Sequence, residues 1–93
     1  NNGNNLLIMK FIFSNHALEQ MQLRQISRIM VEKILDNPQQ VIKENDTKIY
    51  QTIVSMEEKK YLIRIFVNYM KKPNVVITVY RTSKITKYYE SKI

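Results

Sequence analysis

The stretch "YLIRIFVNYMKKPNVVITVYR", residues 61–81, decides the fold. Two runs rich in β-branched and aromatic residues flank Lys71-Lys72-Pro73-Asn74, and proline stands where tight turns favour it, so the stretch reads as an antiparallel hairpin. Alternate residues of a strand share a face, which sets Arg64, Phe66, Asn68 and Met70 against Tyr61, Ile63, Ile65, Val67 and Tyr69. With Pro73 and Asn74 as the central pair of the turn, Lys72 faces Val75 and odd positions pair with even ones. Arg81 then falls across from Phe66 or Arg64 and shares the face of Arg64. Like charges that close repel, and an anion held between two planar guanidinium forks would relieve the conflict.

Working outward, "QVIKENDTKIYQTIVS" carries a turn near Asn45-Asp46 between Val41 to Lys43 and Lys48 to Ser55, a first hairpin. The charged "MEEKK" turn joins it to Tyr61. Further upstream, Ser14 precedes a short helix with Ala17, Leu18 and Met21 at helical spacing. Ser27 precedes a second, whose Met30, Val31, Ile34 and Leu35 form one apolar stripe. Asn37-Pro38 stops it, because proline disfavours helical geometry at the residue before it. The expected architecture is α+β: an optional short strand, two N-terminal helices, and a four-stranded antiparallel sheet. Helices on one sheet face leave the other free. The tail after Thr82 has two readings, one helical turn or none.

A chain of 93 residues fits one domain with a thin core, and 44% hydrophobic beside 25% charged residues is globular rather than disordered composition. Residues 1–8 read as a disordered or added leader, and residues 9–93 as the single domain. There is no cysteine, and one histidine offers no ligand cluster, so neither disulfides nor a metal is expected. The apolar stretch from Leu6 to Phe13 is broken by Lys10 and too short to span a bilayer, so a cytoplasmic protein without membrane association is expected. The single glycine, Gly3, removes phosphate-binding glycine loops, dinucleotide fingerprints and nucleophile elbows, and no cofactor is expected.

The net charge of +7 is unevenly placed: from Lys59 onward nine basic residues meet only Glu90. That asymmetry favours a polyanionic partner, nucleic acid or an acidic protein. Arg64 and Arg81 are the candidate phosphate ligands. Tyr88 and Tyr89, just past the last strand, are candidates for stacking or proton transfer, and Lys60, Lys71, Lys84 and Lys87 add nucleic-acid-binding charge. His16, at the start of the first helix, reads foremost as a structural or surface residue and is the other proton-transfer candidate.

The segments "FSNHALEQMQLRQIS", "VEKILDNPQQVI", "KIYQ" and "VVITVY" together resemble a widespread small bacterial domain family of unknown function. Its pattern is a His-Ala pair with a methionine on the same helix, an Arg-x-Ile-Ser step and a helix ending in Asn-Pro. Here these are His16, Ala17, Met21, Arg24, Ile26, Ser27, Asn37 and Pro38, and the resemblance runs from about Phe13 to Tyr80. That family looks related to RelE, ParE and BrnT toxins, and "RTSKITKYYE" looks like the basic, aromatic-ended tail of BrnT-type members. The resemblance implies a RelE-like fold and a type II toxin that cleaves RNA without metal. In such a toxin Arg64 and Arg81 hold the phosphate, a ribose 2′-OH attacks it, and Tyr88, Tyr89 or His16 moves the proton. It further implies RNA, including ribosome-bound mRNA, as substrate and a small acidic antitoxin as partner. The alternative is a non-catalytic basic module that binds nucleic acid or an acidic protein; a purely structural, oligomeric module is the third reading.

Overall fold

A computed structural model describes residues 10–90; the leader assigned to residues 1–8 lies outside them. The elements are β1 (Phe11–Phe13), α1 (Asn15–Leu23), α2 (Arg28–Asp36), β2 (Gln40–Glu44), β3 (Thr47–Met56), β4 (Lys59–Asn68), β5 (Asn74–Thr82) and α3 (Ile85–Tyr88). Both long helices start as the serines dictate. Ser14 Oγ accepts from Ala17 N at 3.0 Å and Ser27 Oγ from Met30 N at 3.1 Å, each satisfying a first-turn donor that has no partner inside its helix.

The sheet corrects the expectation of four antiparallel strands. It has five, in the order β1-β5-β4-β3-β2, and β1 pairs parallel with β5, Phe11 opposite Asn74 and Phe13 opposite Val76. A mixed sheet with a parallel edge strand replaces the all-antiparallel, RelE-like arrangement. The physical reason is that β1 is fixed from a distance: its partner lies at the other end of the chain, and three residues carry no periodicity that announces it.

A second correction lies in the β4–β5 hairpin. The expected two-residue turn at Pro73-Asn74 is a longer loop, with Asn68 opposite Val75. Odd still pairs with even at the loop, Val67 opposite Val76. Then one extra residue, Ile77, enters β5, and beyond it even pairs with even: Phe66 with Thr78, Arg64 with Tyr80, Leu62 with Thr82. A β-bulge of this kind reverses the facing of everything past it. Ser14 anchors the bulge, its N–H donating to Val76 O and its hydroxyl to Ile77 O, both at 3.0 Å.

The helices cover the face carrying Ile63, Ile65, Val67, Val76 and Val79, which join Ala17, Met21, Ile26, Val31, Ile34 and Leu35 in one core. Phe11 and Tyr50 meet edge to face at its margin, centroids 6.0 Å apart. Burial raises the Tyr50 phenol above its ordinary pKa of 10.0, since the charged form would lose hydration. The other sheet face is not left bare, because the tail crosses it.

Ser14→Ala removes the α1 cap and the partner of the bulge carbonyl together. We expect a loss of about 1–3 kcal/mol in urea unfolding, where an isolated exposed cap would give about 1. The raised Tyr50 pKa has a definite sign. Below pH 10 both folded and unfolded phenols are protonated and stability is unaffected. Above it the unfolded chain deprotonates first, so stability falls as pH rises through the folded pKa. Unfolding curves of Tyr50→Phe and the parent should therefore diverge in alkaline buffer, with the variant losing less stability there.

Candidate functional site on the tail-covered sheet face

Gln51 and Arg64 are the buried polar and charged residues of the described chain, at 0% and 8% exposure. They are cross-strand partners on β3 and β4, and both point away from the helices. Arg64 Nε donates to Gln51 Oε1 at 2.9 Å and Nη1 donates to Tyr80 Oη at 2.8 Å. Three rings complete the enclosure, with the guanidinium carbon 4.4 Å from the Tyr88 centroid, 5.2 Å from Phe66 and 5.8 Å from Tyr80. Phe66 and Tyr80 also stack on each other at 5.9 Å.

Among the described residues the arrangement lacks a counter-ion. Among the described residues the ion pair is Arg28–Glu32 on α2, and no carboxylate approaches Arg64. A buried cation commonly has an anionic partner, because desolvating it costs several kcal/mol, while an aromatic face returns about 0.5–2. The third guanidinium nitrogen, Nη2, has no acceptor among the described residues. Arg64 is thus a cation braced by neutral acceptors and rings, with one guanidinium nitrogen that no described residue engages.

The tail is fastened beside it by amide groups. Gln51 Nε2 donates to Tyr88 O at 3.1 Å and to Gln40 Oε1 at 2.6 Å, and Gln40 Oε1 accepts from Glu90 N at 3.0 Å while its Nε2 donates to the Glu90 carbonyl. These contacts lay the turn Ile85–Tyr88 across the sheet and set Tyr88 over Arg64.

The sequence-derived candidates are therefore divided. Arg64 and Tyr88 come together. Arg81 does not converge with Arg64: the bulge pairs it with Ile63, so it stands on the helix-bearing face, its guanidinium 4.8 Å from the Tyr61 centroid and 3.6 Å from Met56 Sδ. His16 is exposed on α1, in the helical layer on the opposite side of the sheet from Arg64. Tyr89 lines a cleft with Gln39, Gln40, Val41, Ile42, Lys43 and Glu90. Lys60 shares the sheet face of Arg64 at the exposed start of β4, and Lys84 and Lys87 are exposed on the tail, Lys87 Nζ lying 5.3 Å from the Tyr88 ring. Lys71 is exposed in the β4–β5 loop. Among the described residues no three His, Asp or Glu side chains gather as a metal would need, and no helix is long and apolar enough to cross a membrane.

Sequence reasoning missed Gln51, Tyr80 and Phe66 as site residues. Gln51 carried a signal, a polar residue in phase between Ile49 and Ile53 on one strand face. Tyr80 carried none, since its facing depends on the bulge.

Two substitutions separate the roles of the pair. Gln51→Leu strands the Arg64 Nε donor in a buried place and should cost about 1–3 kcal/mol. Arg64→Met strands Gln51 Oε1 but also removes the charge and its desolvation penalty, which offset one another, so stability should stay within about 1 kcal/mol of the parent. Urea denaturation of both variants checks the ordering; a larger loss for Arg64→Met would mean that the cation itself holds the sheet face together.

The family described as "Domain of unknown function (DUF4258)" matches residues 13–81, well over half of the chain. No curated protein and no solved structure matches.

Proposed function

We propose that this chain, which belongs to the DUF4258 family of domains of unknown function, is a binding module for single-stranded nucleic acid. A backbone phosphate sits on Arg64 and the bases lie against the sheet face beside it. The observation that carries this reading is the buried guanidinium with no counter-ion among the described residues and one nitrogen that none of them engages. Phe66 and Tyr80, half-buried on the same face and stacked on one another, offer ring surface next to that cation. Aromatic residues on a sheet face are a recurrent platform for unpaired bases, each stacked base worth about 1–3 kcal/mol. Lys60 lies on the same sheet face and Lys84 and Lys87 on the tail that crosses it, and the net charge of +7 draws a polyanion toward the domain.

A second reading, a metal-independent endoribonuclease of a toxin–antitoxin pair, has one observation in its favour. A phosphate on Arg64 would lie beside the Tyr80 phenol, already 2.8 Å from the guanidinium, and under the Tyr88 ring. In that reading a ribose 2′-OH attacks the phosphate, leaving a 2′,3′-cyclic phosphate, and a small acidic antitoxin covers the basic face. The separation of Arg81 and His16 from Arg64 leaves that chemistry without its second cation and its imidazole, so binding is the better-supported reading.

The test is fluorescence anisotropy with labelled single-stranded RNA and DNA of one sequence, beside incubation of a defined mRNA in EDTA with and without ribosomes. Binding should weaken with salt, log K falling by about 0.7 per log unit of salt for each neutralised phosphate. Arg64→Met should reduce affinity at least about tenfold, as loss of one charge-assisted contact does. A salt-independent signal, or full affinity in Arg64→Met, would overturn the assignment. Fragments ending in cyclic phosphate from the parent alone would establish the nuclease in its place.

A further inference from the structure

The cross-strand pair of like charges that the sequence suggests for Arg64 and Arg81 does occur in this sheet, between other residues. Lys43 on β2 and Lys48 on β3 are direct partners in register, on the helix-bearing face and beyond the helices' core contacts. Their ammonium groups lie 5.2 and 4.9 Å from the centroid of one ring, Tyr69, so both sit over a single aromatic surface. That ring is held in place. Tyr69 Oη donates to Asn45 O at 2.8 Å and Tyr69 N donates to Asp46 O at 3.3 Å, tying the start of the β4–β5 loop to the β2–β3 turn.

The groups around the pair do not neutralise it. The Asp46 carboxylate accepts from Thr47 Oγ1 at 3.4 Å, Glu44 faces the other side of the sheet by its register with Thr47, and neither makes an ion pair with a lysine. Lys71 and Lys72, both exposed, follow Tyr69 in the adjoining loop. Directly opposed like charges weaken a strand pair, and one ring quadrupole offsets only part of that repulsion. An anionic ligand group would offset the rest.

We infer that Lys43, Lys48 and Tyr69 form a second phosphate-binding platform for single-stranded nucleic acid, at the loop end of the sheet and on the face opposite Arg64. This rests on the nucleic-acid reading of the Arg64 face and extends it. Lys48 lies three residues along β3 from Gln51, the partner of Arg64, about 10 Å at the rise of a strand. A strand of nucleic acid that touches both cations therefore passes around the sheet at the β2–β3 end instead of staying on one face.

The experiment measures anisotropy of a labelled oligouridylate of about 16 nucleotides, long enough to cover a whole binding fold, from about 50 to 200 mM salt. Four proteins are compared: the parent, Lys43→Gln/Lys48→Gln, the charge-matched control Lys10→Gln/Lys33→Gln beside β1, and Arg64→Met. Loss of two phosphate contacts should make the slope of log K against log salt shallower by about 1.4 in the Lys43/Lys48 variant, with a smaller change in the control. Equal changes in the two lysine pairs would overturn the platform. Should Arg64→Met weaken binding while the two lysine pairs match each other, the platform alone fails. Should Arg64→Met bind as the parent does while the Lys43/Lys48 variant loses slope, the platform stands and the Arg64 reading fails. A parent that binds no oligonucleotide would overturn both.

Discussion

One additional residue in a strand governs this domain. Ile77 opposes nothing on β4, and its carbonyl accepts a hydrogen bond from the Ser14 hydroxyl. That hydroxyl also accepts from the first turn of α1, so a single side-chain oxygen joins the helix start to the strand irregularity. Without the extra residue, Val79 would face the tail and Tyr80 the helices, because a one-residue change of register turns each side chain over. The apolar face under the helices, the ring beside Arg64 and the distant place of Arg81 all follow from the same displacement. The parallel β1, linked to α1 through Ser14 alone, completes the arrangement by pairing with β5 at the bulge.

Local signals were legible wherever the chemistry was local. The two serine caps, the helix stop at Asn37-Pro38 and the apolar stripes that bury Ala17, Met21, Val31, Ile34 and Leu35 can be read in windows of a few residues, and they stand where the pattern puts them. The hairpin turns at Asn45-Asp46 and Glu57-Glu58 are equally local, closed by backbone at positive φ in Asn45, Glu57 and Glu58. Two features depend on contacts across the whole chain and were not legible: the parallel pairing of β1, and the bulge, which has no glycine to mark it.

The site was legible in the same measure. Alternation alone gives the facing of Arg64, because β4 is continuous and regular across that residue. The facing of Arg81 had to be carried through a loop and along a second strand, and a single irregularity on that path was enough to invert it. Gln51 illustrates the opposite case, a residue whose burial is apparent only when its two neighbours in phase are seen to be apolar. A basic residue near an aromatic one in sequence is thus weak guidance, whereas a polar residue interrupting an apolar strand face marks a place where the fold holds something other than hydrocarbon.

The amide of Gln51 serves two masters: its oxygen holds the Arg64 guanidinium and its nitrogen holds the backbone of Tyr88. Placement of the cation and closure of the tail are consequently linked equilibria. Whatever displaces the Arg64 guanidinium changes the free energy of the docked tail, and whatever lifts the tail changes the placement of Arg64 by the same coupling. One glutamine thus provides the means by which events at the C-terminal segment are felt at a buried charge.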